Sequence, residues 1–334
     1  MTTVTSAARH TSIARLIAAF ATSAVLAACS ANSLVASTTP QQPGANPLTS
    51  GMVPGASPLV AQGAARRRGY GKSWMDPAAR SHNELLYISD FGGPDVEVFT
   101  YPYLRLAGVL TGFTEPRGEC TDPSGYVWIV DQAKGEVFEY AHGGTTPVNV
   151  LSAPDPWGCA TSKTNGDLAV SYASAGQIEI FHNAAGSGTV VTDPNFAGTL
   201  FLGYDKAGNL FVDGYDSSSK FHYAELPAGS SSFTDITLSQ TPGGEGNVQW
   251  DGKYMAVGDT GSTIYQTQGG TVVSSTTLGN RCVEQFFIVP PKHKVIAPDA
   301  CDANAGIFSY PAGGSPLQTI SGGLFIPEGA VLSQ

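Results

Sequence analysis

Charge is scarce in this sequence. Asp, Glu, Lys and Arg make up 13% of 334 residues, and the basic ones are fewest, 17 against 27 acidic. A net charge of −10 sets nucleic acid aside as a partner, because phosphate contacts need Lys and Arg. The acidity itself serves solubility. Histidine is rare too, at 6. His10 falls in the leader, and His82, His142, His182, His222 and His293 fall in loops or strand pairs, where solvent is their expected surroundings. No G-x-S-x-G elbow, H-E-x-x-H helix or phosphate loop occurs, so no catalytic residue can be named from a motif. There is no C-x-x-C pair and no His at ligand spacing, which ranks zinc far below disulfides for the cysteines.

What is abundant is turn chemistry. Gly at 40 and Pro at 22, set between short apolar runs, predict an all-β chain with frequent turns. The first 29 residues read as an address. Arg9 and Arg15 form a positive flank, and Leu16 to Ala28 is an apolar, alanine-rich stretch too short to span a bilayer. It ends in Leu26-Ala27-Ala28-Cys29, which resembles the bacterial lipobox. That resemblance implies acylation of Cys29 and anchoring in the bacterial cell envelope, outside the cytoplasm. With Ser30 next, the expected destination is the outer membrane if the cell has two. Residues 30–82 read as a disordered tether rich in Ser, Thr, Pro, Gln, Ala and Gly. Arg66-Arg67-Arg68 and Lys72 make it locally basic, suited either to anionic lipid head groups or simply to water.

From residue 83 to 334 the chain repeats. An apolar strand followed by a turn residue appears as Leu86-Tyr87-Ile88-Ser89-Asp90, Val127-Trp128-Ile129-Val130-Asp131 and Leu168-Ala169-Val170-Ser171-Tyr172. It returns as Leu210-Phe211-Val212-Asp213-Gly214, Met255-Ala256-Val257-Gly258-Asp259 and Val295-Ile296-Ala297-Pro298-Asp299. The units end at 90, 131, 172, 214, 259 and 299, a spacing of 40 to 45 residues. Each is followed by an alternating strand such as Glu136-Val137-Phe138-Glu139-Tyr140 and a β-branched one such as Gly188-Thr189-Val190-Val191. Six copies at that period predict a six-bladed β-propeller with four strands per blade. The first copy lacks a preceding strand, and Phe325 to Leu332 resembles such a strand. The carboxyl-terminal segment should therefore become the innermost strand of blade one and close the ring.

These units are similar to the NHL-type and related six-bladed propellers, including the gluconolactonase and streptogramin-lyase-like groups. The resemblance specifies architecture and says little about activity, because a propeller hosts unrelated functions. The gluconolactonase-like group holds a metal with Glu, Asn and Asp on inner strands. Here Glu328-Gly329 and Asn247 match only part of that pattern, and the rest of the ligand set lacks its usual context.

After Cys29 four cysteines remain, which allow three pairings. A turn over Pro290-Pro291-Lys292-His293 sets Val289 opposite Lys294, and the same register sets Cys282 opposite Cys301. Cys120 and Cys159 lie one repeat apart and should begin the inner strands of adjacent blades. The expected disulfides are thus Cys282–Cys301 and Cys120–Cys159.

Loops ahead of the inner strands share a face with loops after the second strands. On that face Arg117, Trp157, Phe196, Glu245, Arg281 and Glu328 are expected beside the central channel. They could bind a small polar ligand or merely cap the channel with ion pairs and stacking. Asp90, Asp131, Asp259 and Asp299 recur once per blade, so they should bond turn amides and not converge on a metal. The sequence points to a monomeric binding or interaction module without a cofactor, whose partner is a small molecule, a glycan or an envelope protein. The alternative is a lactonase-like or lyase-like enzyme using a divalent metal at the channel mouth. A scaffold within an envelope complex is a third class.

The anchoring expectation is directly testable. Cys29→Ser should abolish acylation and move the protein from the membrane to the soluble fraction. Unchanged membrane partition of that variant would refute it.

Overall fold

The computed structural model describes residues 71–334. The leader, Cys29 and most of the expected tether lie outside the described residues. The rest is an all-β six-bladed propeller with almost no helix.

The second strands explain the repeat. Leu85–Asp90 is buried at every position, so it lacks the in-out alternation of a strand with one wet face. Its successive side chains enter different cores. Leu86 and Ile88 pack with Val289, Ile296 and Ile307 of blade six. Leu85 and Tyr87 pack with Val127, Ile129 and Tyr140 of blade two. Strand geometry alternates side chains between faces, and here both faces are interfaces between blades. Each neighbouring pair of blades encloses such a cluster. Burial falls toward the rim. The outer strand of blade six, Gly313–Ser321, is exposed along most of its length and carries Pro316, which blunts an open edge.

Blade two is the plain case, with Pro116–Thr121, Val127–Asp131, Glu136–Tyr140 and Asn149–Ser152 running antiparallel from axis to rim. Blades three to six repeat that order. Blade one takes its inner strand from the other end of the chain. Pro327–Ser333 pairs with Leu85–Asp90, placing Leu332 opposite Leu86 and Ala330 opposite Ile88. The tail is also tied to blade two, since Ser333 Oγ donates to Gly125 O at 2.5 Å and lies 2.7 Å from His142 Nδ1. The blade has a fifth strand as well. Trp74–Met75 pairs with the Arg105–Leu110 strand, and Ala79 nearby is fully buried. The folded domain therefore begins ahead of Asn83, because Trp74, Met75 and Ala79 supply apolar contacts that the polar tether composition conceals.

The recurrent aspartates bond turn amides as expected, and three of them do more. Asp90 accepts from the turn amides of Gly92 and Gly93 and from Phe325 and Ile326 on the loop entering the inner strand. Asp131 accepts from Thr114 and Glu115, and Asp299 from Arg281 and Cys282, in the same manner. A buried carboxylate thus staples each incoming loop to the end of its second strand. Asp259 instead accepts from Thr263 N–H and Tyr265 Oη–H.

Both expected disulfides are present. Cys120–Cys159 joins blades two and three, with Cα atoms 5.7 Å apart, and it sits late in the two inner strands rather than at their start. Cys282–Cys301 joins the approach loop and the following turn of blade six, with Cα atoms 5.4 Å apart. The extrapolated register holds over Phe287–Val289. Beyond it the pairing slips by one residue, since Ala300 N–H donates to Cys282 O. The slip is small enough for the two side chains still to meet.

If the tail is a structural strand, deleting residues 325–334 uncovers both cores around Leu85–Asp90. Burial of Val331 and Leu332 alone is worth about 3–6 kcal/mol. The truncated protein should aggregate or melt about 10 °C or more below the parent. A monomeric truncate melting within about a degree of the parent would show that the ring does not depend on this strand.

Candidate functional site

Equivalent positions around the channel can be fixed by hydrogen bonds that recur from blade to blade. Gly329 N–H donates to Ser89 Oγ, Gly158 N–H to Ser171 Oγ, and Phe201 N–H to Asp213 Oδ1. Between blades, Ser89 Oγ–H donates to Arg117 O and Ser171 Oγ–H to Leu200 O. Gln285 N–H donates to Glu328 O, and Asn247 N–H to Glu284 O. These bonds place Arg117, Trp157, Leu200, Gly246, Glu284 and Glu328 at corresponding positions of the six inner strands. Glycine just after this position lets the strands crowd together. A Cβ on Gly118 would lie 2.9 Å from Trp157 O, and one on Gly158 would lie 2.6 Å from Leu200 O.

Four of the six expected mouth residues belong to this neighbourhood. Arg117, Trp157 and Glu328 occupy the position itself, and Glu245 immediately precedes Gly246. Phe196 and Arg281 lie elsewhere. Phe196 is buried between blades three and four, its ring 4.4 Å from that of His222. Arg281 is exposed and donates to Asp302 Oδ1 at 2.5 Å. Both sit on loops approaching the inner strands and fall short of the mouth, since Phe196 precedes Leu200 and Arg281 precedes Glu284. Glu284 holds in blade six the place expected of Arg281.

Arg117 is the centre of the arrangement. One guanidinium nitrogen reaches both Glu328 carboxylate oxygens at 2.6 Å. Its Nε–H donates to Gln132 Oε1, and Gln132 in turn donates to Asp155 Oδ1 at 2.8 Å. Its Cζ lies 4.0 Å from the Phe91 ring centre and 4.3 Å from that of Trp157, so two aromatic faces hold the cation. Arg117 and Glu328 side chains are only 13% and 8% exposed, and a pair so removed from water is strongly oriented.

The acids around this single guanidinium are crowded. Burial first, then the charge of Glu284, pushes the Glu328 carboxyl up to about 7 against the pull of Arg117. Burial raises Glu284 as well, with Arg117 opposing and Glu245 reinforcing the rise. Glu245 is raised by burial. The mouth therefore gathers more carboxylate than its arginine neutralises. Below it, Glu119 is fully enclosed with neither carboxylate oxygen hydrogen-bonded, and burial drives its pKa well up.

Two residues match part of the gluconolactonase metal-ligand pattern. Glu328 grips Arg117, while Asn247 Nδ2–H donates to Phe286 O at 2.6 Å. A separate hollow of about 620 Å³ lies away from the mouth, between blades three and four, beside Asp167, His182 and Tyr204.

No protein-family model and no curated protein matches the sequence. Solved structures do match in shape. A chain of the nidogen/laminin complex superposes with TM-score 0.64 at 11% identity, covering 75% of this chain and 99% of that one. A Bacteroides caccae protein of unknown function gives 0.60 at 11% identity, with the same coverage. Streptogramin B lyase gives 0.48 at 10% identity over 70% of this chain and 72% of that one. At these identities the likeness is one of propeller architecture.

The raised Glu328 pKa has a signed consequence. An unfolded glutamate titrates near 4.5, so between that value and about 7 the folded protein binds the extra proton. The contribution to stability is full below 4.5 and is lost as pH rises through 7. Glu284→Gln removes the repelling charge, so it should lower the Glu328 pKa and flatten that decline. Chemical denaturation of parent and variant from pH 4.5 to 8 tests this, and an unchanged slope would contradict it.

Proposed function

We propose that this chain is a binding propeller, lipid-anchored outside the cytoplasm, whose channel mouth takes a small molecule or side chain rich in amino or hydroxyl groups. The observation that carries the reading is the surplus of buried and half-buried carboxylate around one immobilised guanidinium. Glu245, Glu284 and Glu328 accept hydrogen bonds and offer negative charge, while Arg117 is already held by Phe91, Trp157 and Gln132. A donor-rich ligand would compensate the burial of these carboxylates and relieve the repulsion among them. An acidic ligand would aggravate it. The placement outside the cytoplasm rests on Leu26-Ala27-Ala28-Cys29, and two disulfides in a chain of this kind favour an oxidising compartment.

Trp157 provides the signal for a test. Spermidine and glucosamine, as representative amines, should perturb its fluorescence in a saturable manner. The double substitution Glu284→Gln, Glu328→Gln should weaken that binding by at least about tenfold. Saturable binding that ignores the double substitution, or none with either probe, would remove the mouth as the site.

A further inference from the structure

A second cluster of potential ligands lies far along the blades from the mouth, at the junction of blades three and four. Asp193 follows the outer strand of blade three, Thr189–Thr192. His222 belongs to the third strand of blade four, Phe221–Leu226, and Asp235 to its outer strand, Thr234–Asp235. One donor atom from each of the three lies within 4.8 Å of the other two.

Two independent features suggest a cation. Asp193 is only 4% exposed, and its Oδ1 accepts from Asn195 N–H at 2.9 Å. Its Oδ2 is buried with no hydrogen-bond partner. A carboxylate oxygen left in that state costs free energy that a bound cation would recover. The second feature is the preset geometry of the other two donors. His222 Nε2 and Asp235 Oδ1 are 3.1 Å apart. Two ligands on a tetrahedral zinc ion, with bonds near 2.0–2.1 Å, stand about 3.3 Å apart. The imidazole is also held, by the edge-to-face contact with Phe196 and by Asp235. Asn195 Nδ2–H donates to Asp235 Oδ2 at 2.7 Å and steadies that carboxylate in turn. Oriented ligands with such outer support are the usual construction of a metal site. An open hollow of about 280 Å³ adjoins Asp193, Asn195 and Asp235, giving an ion both an entry path and room for water.

We propose that Asp193, His222 and Asp235 bind one divalent transition-metal ion, zinc by preference. One imidazole nitrogen and two carboxylates form a mixed set that suits zinc better than magnesium or calcium, whose sites are built from oxygen alone. Three protein ligands leave a coordination position facing the hollow. The ion would clamp blade three to blade four at their rim, where no disulfide joins them among the described residues. Binding requires that His222 Nε2 exchange its contact with Asp235 for the metal, with release of any proton it carries.

The test is titration of metal-stripped protein with Zn²⁺, followed by calorimetry and by thermal melting. One equivalent should bind and raise the melting temperature. Asp235→Asn is the informative variant, because Asp235 is exposed and its loss should spare the fold. Its affinity, and that of His222→Gln, should fall at least about tenfold. Both variants should melt like the parent in the presence of chelator, which separates loss of metal from loss of fold. Failure of the parent to bind Zn²⁺ would overturn the assignment. So would Zn²⁺ binding of parental strength in both variants, which would place the ion elsewhere.

Discussion

When Pro327–Ser333 pairs with Leu85–Asp90, residues 240 positions apart, such as Ser89 and Gly329, become hydrogen-bonded neighbours. A propeller blade cannot bury its own faces, because each sheet is covered only by the sheets beside it. Loss of the closing strand therefore wets two cores, those around Leu85 and around Leu86. The pairing also brings Glu328 to the channel, because Glu328 lies on the strand that closes the ring. Arg117 of blade two meets its partner only because the tail has returned. Fold closure and assembly of the mouth are thus one event.

The channel end shows how a repeated scaffold acquires a distinctive site. Six inner strands offer corresponding positions, while the residue at the mouth changes among Arg, Trp, Leu, Gly and Glu. Where glycine follows, as at Gly118 and Gly158, neighbouring backbones approach closely and the charged side chains are crowded above them. Burial first, and then the repulsion between neighbouring carboxylates, raises the Glu284 and Glu328 pKa values. At the corresponding position blades three and four carry the apolar Trp157 and Leu200. Their junction has a buried carboxylate at the rim with one oxygen unpartnered, beside a restrained histidine.

Much of the architecture was legible in the sequence because the second strands are buried on both faces. That produces a run such as Val127-Trp128-Ile129-Val130 with a turn residue after it, repeated at nearly constant spacing. The tail was legible through its likeness to Pro116-Arg117-Gly118-Glu119-Cys120. Cysteine pairing followed from the repeat and from a tight turn. Trp74–Met75 was not legible, since a two-residue strand leaves no period inside a polar linker. At the mouth Arg117, Trp157 and Glu328 were found, whereas in blades four and six the search stopped short, at Phe196 and Arg281, because Leu200 and Glu284 lack the Pro and Gly that flank the other three. His222 read as a solvated residue because its partners, Phe196 and Asp235, come from loops and strands distant in sequence.

Amide hydrogen exchange across the closing ladder tests ring closure most directly. If the tail holds the ring together, amides of Leu86–Ser89 and Gly329–Leu332 open only with the whole domain. Their opening free energies should then equal those of the most protected amides in Val127–Asp131 and Leu168–Tyr172. Exchange of the Gly329–Leu332 amides through a local opening, while the other blades stay protected, would contradict the account.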